Sequence, residues 1–248
     1  MNSDRANAAS LSTRAVRLKT YPLLLKATPD RLAEESVMCN DYQQHVTREL
    51  LLDVAEKQDL GLTLAGDHAP WQQSDDVRAG ELGPVLRAAG NGTELTSMVF
   101  GFPHPSGGRP IINITSDFVK EGERTIRDYT HSKRCVIIAS AFYEFKGARY
   151  PKAKYQFTLN GSPVMGIAGL WRDSLDGRDD AFAMLTTLPG ADIEPIHERQ
   201  IVILRPDQFG AWLSYAPHVN DLLQPLPVGS LSVEMVRAEA PPKRKKAA

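Results

Sequence analysis

Between His45 and Gln58 the apolar residues Val46, Leu50, Leu51, Val54 and Ala55 recur at helical spacing, and Thr47 stands where an N-cap belongs. Upstream, residues 1–37 show no sustained period, and Pro22 and Pro29 interrupt any long helix, so this stretch reads as an extension rather than a domain. From Gly61 to Gly92 the chain is polar and rich in Gly and Pro. Short β-like runs follow at Leu95–Phe102, Cys135–Phe145, Tyr155–Leu159, Val164–Leu170, Phe182–Leu188 and Ile201–Leu204. Asn160-Gly161 separates two of them and predicts a hairpin turn. Pro206 suits the first turn of a second helix that runs through Trp212-Leu213. Many short strands, few helices and no βαβ alternation predict an α+β fold, with a curved antiparallel sheet or β-barrel-like core and flanking helices.

Composition narrows the class. With 42% apolar residues in 248, the chain can build a sizeable core, which excludes wholesale disorder. No run approaches the roughly 20 apolar residues of a membrane span. Two cysteines, Cys39 and Cys135, cannot make a disulfide framework, so a cytoplasmic protein is expected. The net charge of -1 is unevenly laid out: residues 1–37 carry +2 and residues 237–248 carry +4, leaving 38–236 at -7. An acidic body argues against a general duplex binder, which would show a broad basic face. The run Lys243-Arg244-Lys245-Lys246 behind Pro241-Pro242 reads as a flexible basic tail over 237–248.

Common cofactor motifs are missing. There is no Walker loop, no Gly-x-Gly-x-x-Gly and no paired Cys-x-x-Cys, and the six histidines lack ligand spacing. We therefore expect neither a metal nor a cofactor.

Four strings stand out together: Met38-Cys39-Asn40, Ile112-Asn113-Ile114, Arg134-Cys135 through Ala141-Phe142-Tyr143-Glu144-Phe145-Lys146, and Ile196-His197-Glu198-Arg199 before Ile201–Leu204. In this order and spacing the chain resembles the SRAP (SOS response-associated peptidase) family, whose members crosslink to abasic sites in single-stranded DNA. Gly169-Leu170-Trp171 and Leu185-Thr186-Thr187 fit the same pattern, and the likeness covers about 38–232. The expected catalytic domain is 38–236, acting as a monomer on single-stranded DNA.

The resemblance implies a chemistry for Cys39. As the first residue of a mature chain, it carries an α-amine and a thiol two carbons apart. An aldehyde condenses with the amine, and the thiol closes on the same carbon to give a thiazolidine. The ring-opened sugar of an abasic nucleotide supplies that aldehyde. The unperturbed amine and thiol, with pKa values of about 7.7–8.0 and 8.5, need only modest help near neutral pH. Glu144 lies between Tyr143 and Phe145, and a carboxyl beside aromatics suits proton shuttling. His197, at the entry to a β run, suits protonating the sugar ring oxygen or the departing phosphate. Asn113 can donate and accept at once, orienting the sugar or the amine. For phosphate contacts the resemblance points first to Arg199, then to Arg134 and Lys146. Phe100, beside Gly101, stands where the family often has Trp and would stack on a base or fill the core. Cys135, before Val136-Ile137-Ile138, reads as a core thiol.

Some residues depart from the family pattern. Relatives usually begin at Met-Cys, whereas 37 residues precede Met38 here; we expect the functional chain to start at Met38 or to be trimmed after it. Asn40-Asp41-Tyr42 matches a smaller branch, and Thr115 stands where a phosphate-contacting Arg is common. The same groups allow β-elimination, hence lyase activity. Two other readings compete. In one, a cysteine peptidase or self-processing hydrolase uses Cys39 as nucleophile, His197 as base and Glu144 as orienter. In the other, the protein is a non-catalytic single-strand-binding module.

Overall fold

The computed structural model describes residues 40–65, 73–90, 92–104, 107–121, 132–173, 179–214 and 219–241. The extension 1–37, Cys39 and the Lys243–Lys246 run lie outside these residues. In chain order the elements are β1 (Asp41–Gln44), α1 (Arg48–Lys57), β2 (Leu62–Leu64), β3 (Ser74–Arg78), β4 (Leu82–Ala89), β5 (Gly92–Phe100), β6 (Asn113–Thr115) and α2 (Ser116–Glu121). Then follow β7 (Arg134–Ala139), β8 (Ala141–Lys146), β9 (Ala153–Leu159), β10 (Met165–Arg172), β11 (Ala181–Thr187), β12 (Gln200–Ile201), β13 (Ile203–Leu204), α3 (Phe209–Leu213) and β14 (Leu231–Arg237). Short 3-10 turns at Pro206–Gln208 and Val219–Leu223 flank α3.

The described strands form two sheets. One runs β14-β9-β8-β1-β3. In the other, β11-β10-β7-β4-β5 closes on itself because Val99 and Phe100 at the end of β5 pair with Ala181 and Phe182 of β11. The α+β, barrel-like expectation is met, and most pairings are antiparallel. Three are parallel (β5–β11, β6–β11 and β2–β5), because crossovers bring those strands in from the far side.

Strand β7 shows how alternation builds two cores. All six of its residues are buried. Cys135, Ile137 and Ala139 face a cluster with Tyr42, Phe142 and Phe157 from the five-stranded sheet. Val136 and Ile138 face the other way, toward Leu51 and Ala55 of α1 and Phe209 and Trp212 of α3. Gly166 in β10 pairs with Ile138 and lets α3 sit close, since a Cβ there would run into Phe209 and Val136. Helix α1 begins as its sequence predicts, with the Thr47 hydroxyl accepting from the Leu50 amide at 3.2 Å.

Several expectations are corrected. The run Cys135–Phe145 is two strands in different sheets, broken at Ser140, whose amide donates to the Gln43 carbonyl at 2.9 Å. Asn160-Gly161 makes a turn but no hairpin: β9 pairs with β8 and β14, while β10 belongs to the closed sheet. The 61–92 stretch holds β2, β3 and β4, with Val85 and Leu86 fully buried. Arg237, expected in the tail, closes β14.

Candidate active site

Glu144 sits in the middle of β8. Phe142 stacks on Phe157 in the core at 4.8 Å, so its period-two neighbour Glu144 shares the core-facing side, and its side chain is 1% exposed. Tyr155 lies opposite Glu144 on β9, and Met235 lies opposite Tyr155 on β14. Two residues beyond Glu144, Lys146 emerges at the strand end, and its Nζ donates to the Pro195 carbonyl at 2.6 Å.

Pro195 belongs to the loop that carries His197. Buried Ile193 anchors this loop, and its carbonyl accepts from the Ile196 and His197 amides at 2.7 and 3.0 Å. The loop ends are cross-tied where the Gly190 amide donates to Oε1 of buried Gln200 at 2.6 Å. His197 lines an open cleft of about 530 Å³ together with Pro189, Glu194, Ile196 and Glu198. Its Nδ1 lies 3.1 Å from the Arg199 amide and 3.0 Å from the Arg199 carbonyl. With the Arg199 amide donating to Nδ1, the neutral ring carries its proton on Nε2, toward the cleft side left open to a ligand.

The Arg199 guanidinium turns toward the closed sheet. Its Nη2 donates to Thr186 Oγ1 at 3.0 Å and to Thr115 Oγ1 at 3.1 Å. Thr115 and Asn113 share one face of β6, which lies parallel to β11 with Asn113 opposite Met184 and Thr115 opposite Thr186. The Asn113 Oδ1 is buried and has no hydrogen-bond partner among the described residues. Hydrogen bonds therefore link Thr115 to Arg199, the Arg199 backbone to His197, and Lys146 to the loop that carries His197, while Asn113 lies two residues before Thr115 and Glu144 two residues before Lys146.

Two expected DNA contacts are not among these residues. Phe100 is 0% exposed, stacked on Phe182 at 5.1 Å and meeting Tyr42 edge-on, so it fills the core and presents no face to a base. Arg134 is 2% exposed; its guanidinium lies 4.8 Å from the Trp212 ring and donates to the Trp212 and Ser214 carbonyls. It packs against α3, buried beneath the Trp212 ring. Cys135 is fully buried as a core thiol, and burial pushes its ionisation far up, which removes it as a nucleophile.

One group near the site escaped the sequence reading. Lys154 Nζ joins Asp76 and Asp41 (3.1 Å to the latter) and lies 3.5 Å from the centre of the Tyr143 ring, on the outer face of the five-stranded sheet. This ties β9 to β1 and β3 across β8, close to where the chain enters from Cys39. Burial raises the Asp41 pKa despite Lys154. For Asp76 burial pulls the same way, but hydrogen bonds from Lys154 and Asp41 outweigh it and the pKa falls. Alternation in β9, with Lys154 and Gln156 out and Tyr155 and Phe157 in, was the available signal. Among the described residues no group of three or more His, Cys, Asp or Glu is arranged to hold a metal ion. No helix among them is long and apolar enough to cross a membrane.

Residues 38–240 match the family described as SOS response associated peptidase (SRAP). Over 124 residues the chain is 32% identical to abasic site processing protein YoqW of Bacillus subtilis (strain 168), a match covering 48% of this chain and 54% of that protein. Abasic site processing protein YobE of the same organism is also 32% identical, over 48% of this chain and 56% of its own. The chain thus spans about half the length of the curated relatives it matches. A Bordetella bronchiseptica protein of known structure aligns with 80% of this chain and 100% of its own, at a TM-score of 0.61 and 23% identity. A phage-related protein from the same organism aligns with 80% of this chain and 94% of its own, at a TM-score of 0.62 and 17% identity. At those identities the likeness is one of fold. The family match takes in both sheets and every element that carries Asn113, Glu144, His197 and Arg199, and by it this chain belongs to the SRAP family.

Proposed function

We propose that the protein processes abasic sites in single-stranded DNA, as part of the response to DNA damage in the cytoplasm, by forming a thiazolidine crosslink through Cys39 as the first residue of the working chain. The observation that carries this reading is the Lys146–Pro195 bond, which fastens the strand end two residues beyond Glu144 to the loop that carries His197, whose Nδ1 meets the backbone of Arg199. The names of the Bacillus relatives support the substrate.

The Cys39 α-amine adds to C1′ of the ring-opened sugar, and loss of water gives an imine. The thiol sulfur then adds to the imine carbon and its proton passes to nitrogen, closing the five-membered ring with no redox change. His197 delivers a proton from the cleft to the sugar oxygen. Glu144 takes and returns protons as the carbinolamine forms and collapses. Asn113, through its buried Oδ1, holds the amine or a sugar hydroxyl. Arg199, oriented by Thr115 and Thr186, faces a phosphate. β-Elimination from the imine is the accompanying lyase step.

The peptidase reading asks Glu144 to orient His197. In the structure His197 Nδ1 is engaged by the Arg199 backbone, which leaves the orienting position filled by the chain itself. That favours the crosslinking reading.

The test is incubation with a single-stranded oligonucleotide holding one abasic site, followed by denaturing electrophoresis and intact-mass measurement. A shifted band that survives denaturation, absent in Cys39→Ala, together with a chain beginning at Cys39, is the expected result. A band of equal yield in Cys39→Ala, or turnover of peptides with abasic DNA ignored, overturns it.

A further inference from the structure

The turn between β8 and β9 carries an aromatic ring that the fold does not use. The two strands pair as far as Lys146 opposite Ala153, and residues 147–152 join them. Within this turn Tyr150 is 92% exposed. A ring left almost wholly in water holds apolar area whose burial would be favourable.

The backbone on either side of that ring is fixed. The Arg149 amide donates to Glu239 Oε1 at 2.7 Å, and Arg149 Nη2 donates to Glu239 Oε2 at 2.6 Å. The Pro151 carbonyl accepts from the Ala240 amide at 3.0 Å. Gly147, at φ +118°, makes room for this clamp, since a Cβ there would press into the Glu239 carboxylate. Tyr150 is thus held between two tethered neighbours, and covering its ring costs little further ordering of the chain.

The turn is also cationic. Lys152 is exposed, and exposed Arg237 at the end of β14 lies across the turn, its Nη2 donating to the Lys152 carbonyl at 3.2 Å. Lys146, Arg149, Lys152 and Arg237 against Glu239 alone give residues 146–152 and 237–240 a net charge of +3, whereas 38–236 as a whole is net -7. An open aromatic face set among positive charges fits a single strand of nucleic acid: any base stacks on the ring, and the phosphates meet the cations. The turn starts at the candidate site, because Lys146 donates to Pro195 in the loop of His197. Tyr150 follows four residues later, at most about 14 Å along the chain.

We propose that Tyr150 is a stacking platform for a base of the single strand flanking the abasic nucleotide, with Lys152 and Arg237 meeting the phosphates of that strand. The lesion-flanking position rests on the functional reading above.

The test uses the full chain and a single-stranded oligonucleotide with tetrahydrofuran in place of the abasic sugar, which cannot crosslink, and 2-aminopurine at successive flanking positions. Wild type and Tyr150→Phe are expected to quench 2-aminopurine at a flanking position, and Tyr150→Ala to lose that quenching. Anisotropy on the same strand is expected to show an affinity loss of about fivefold or more in Tyr150→Ala, with an unchanged dependence on NaCl because no charge is removed. The exposed ring buries little, so Tyr150→Ala should melt with the wild type. Each phosphate contact on a single strand adds about 0.7 to the slope of log K against log salt, so Lys152→Gln and Arg237→Gln should each flatten it by about that amount. Full affinity and quenching in Tyr150→Ala, with wild type binding and crosslinking to a true abasic strand, overturn the platform and leave the crosslinking chemistry standing. Quenching that depends on Tyr150 in a wild type that never crosslinks upholds the stacking and overturns the functional reading. A wild type that neither binds nor crosslinks overturns both.

Discussion

Lys146 Nζ lies 2.6 Å from the Pro195 carbonyl, two residues past Glu144 on one side and two residues before His197 on the other. Neither Glu144 nor His197 shares a strand pairing with the other, so this bond fixes how a sheet residue faces a loop residue. An exposed bond of this kind contributes only about 0.5–1.5 kcal/mol to stability. Small displacements of reacting groups cost far more in rate than in stability. Lys146→Met is therefore expected to slow crosslinking by roughly tenfold while leaving the melting temperature nearly unchanged, since the loop is still anchored by Ile193 and Gln200. Single-turnover gels alongside thermal melts check this; a melt that falls as steeply as the rate would make the bond merely structural.

Arg199 is aimed by two threonines on different strands. Thr186→Val keeps the shape of a buried residue but removes the 3.0 Å partner of Nη2. It leaves the charge count intact, so the salt dependence of single-strand binding should hold while affinity falls several-fold. Arg199→Gln removes the charge, and should lower that slope by about 0.7. Anisotropy titrations at four or five salt concentrations separate the two effects, and a matching slope for Arg199→Gln and wild type would remove Arg199 from the phosphate contacts.

Local patterns in the sequence were read well where they are closed locally. Helix α1 announces itself through Thr47 and its apolar face, and the start of the turn at Pro206 through the fixed φ of proline. What failed depended on partners remote in sequence. Asn160-Gly161 carries the composition of a hairpin, but its flanking strands find partners at β14 and β7, which no local signal reveals. β14 itself was missed although Leu231, Val233 and Met235 alternate with Ser232 and Glu234, and as an edge strand it is exposed at every residue after Leu231. The candidate site was legible as residue types in register, and the bond from Lys146 to Pro195 brings the strand of Glu144 to the loop of His197. Which basic and aromatic residues point outward was not, because period-two alternation does not say which face meets the core.

Phe100 and Arg134 make that last point measurable. With its ring stacked on Phe182 and sealed from solvent, Phe100→Ala should cost about 3–5 kcal/mol. Arg134→Gln removes the cation held against Trp212 and is expected to destabilise as well, through α3. Neither should alter the salt slope or, for the fraction that stays folded, the affinity for a single strand. Denaturant unfolding and anisotropy on the same preparations test both; loss of binding from a fully folded Arg134→Gln protein would restore it as a DNA contact.

The Asp41–Lys154–Asp76 group yields a pH prediction whose sign differs between its two acids. Asp76 has a folded pKa below its ordinary 3.8, so its stabilising contribution is present above that value and is lost as pH falls through the lowered one. Asp41 is raised, chiefly by burial, so its contribution is present below 3.8 and is lost as pH climbs through the raised value; at neutral pH its ionised form works against the fold. Lys154, opposed by burial but held by both carboxylates, is raised above 10.5 and stays charged throughout. At pH 7 Asp76→Asn should therefore destabilise more than Asp41→Asn. Lys154→Met should cost about 2–4 kcal/mol, since it strands Asp41 in the sheet while Asp76, 28% exposed, is partly rescued by water. Below pH 4 the penalty of Lys154→Met should shrink as the carboxylates protonate. Urea midpoints from pH 3 to 8 test this. If Asp41→Asn proves the costlier substitution at pH 7, the charge needed to hold β1 beside the entry from Cys39 resides on Asp41 and the assignment of the two acids is reversed.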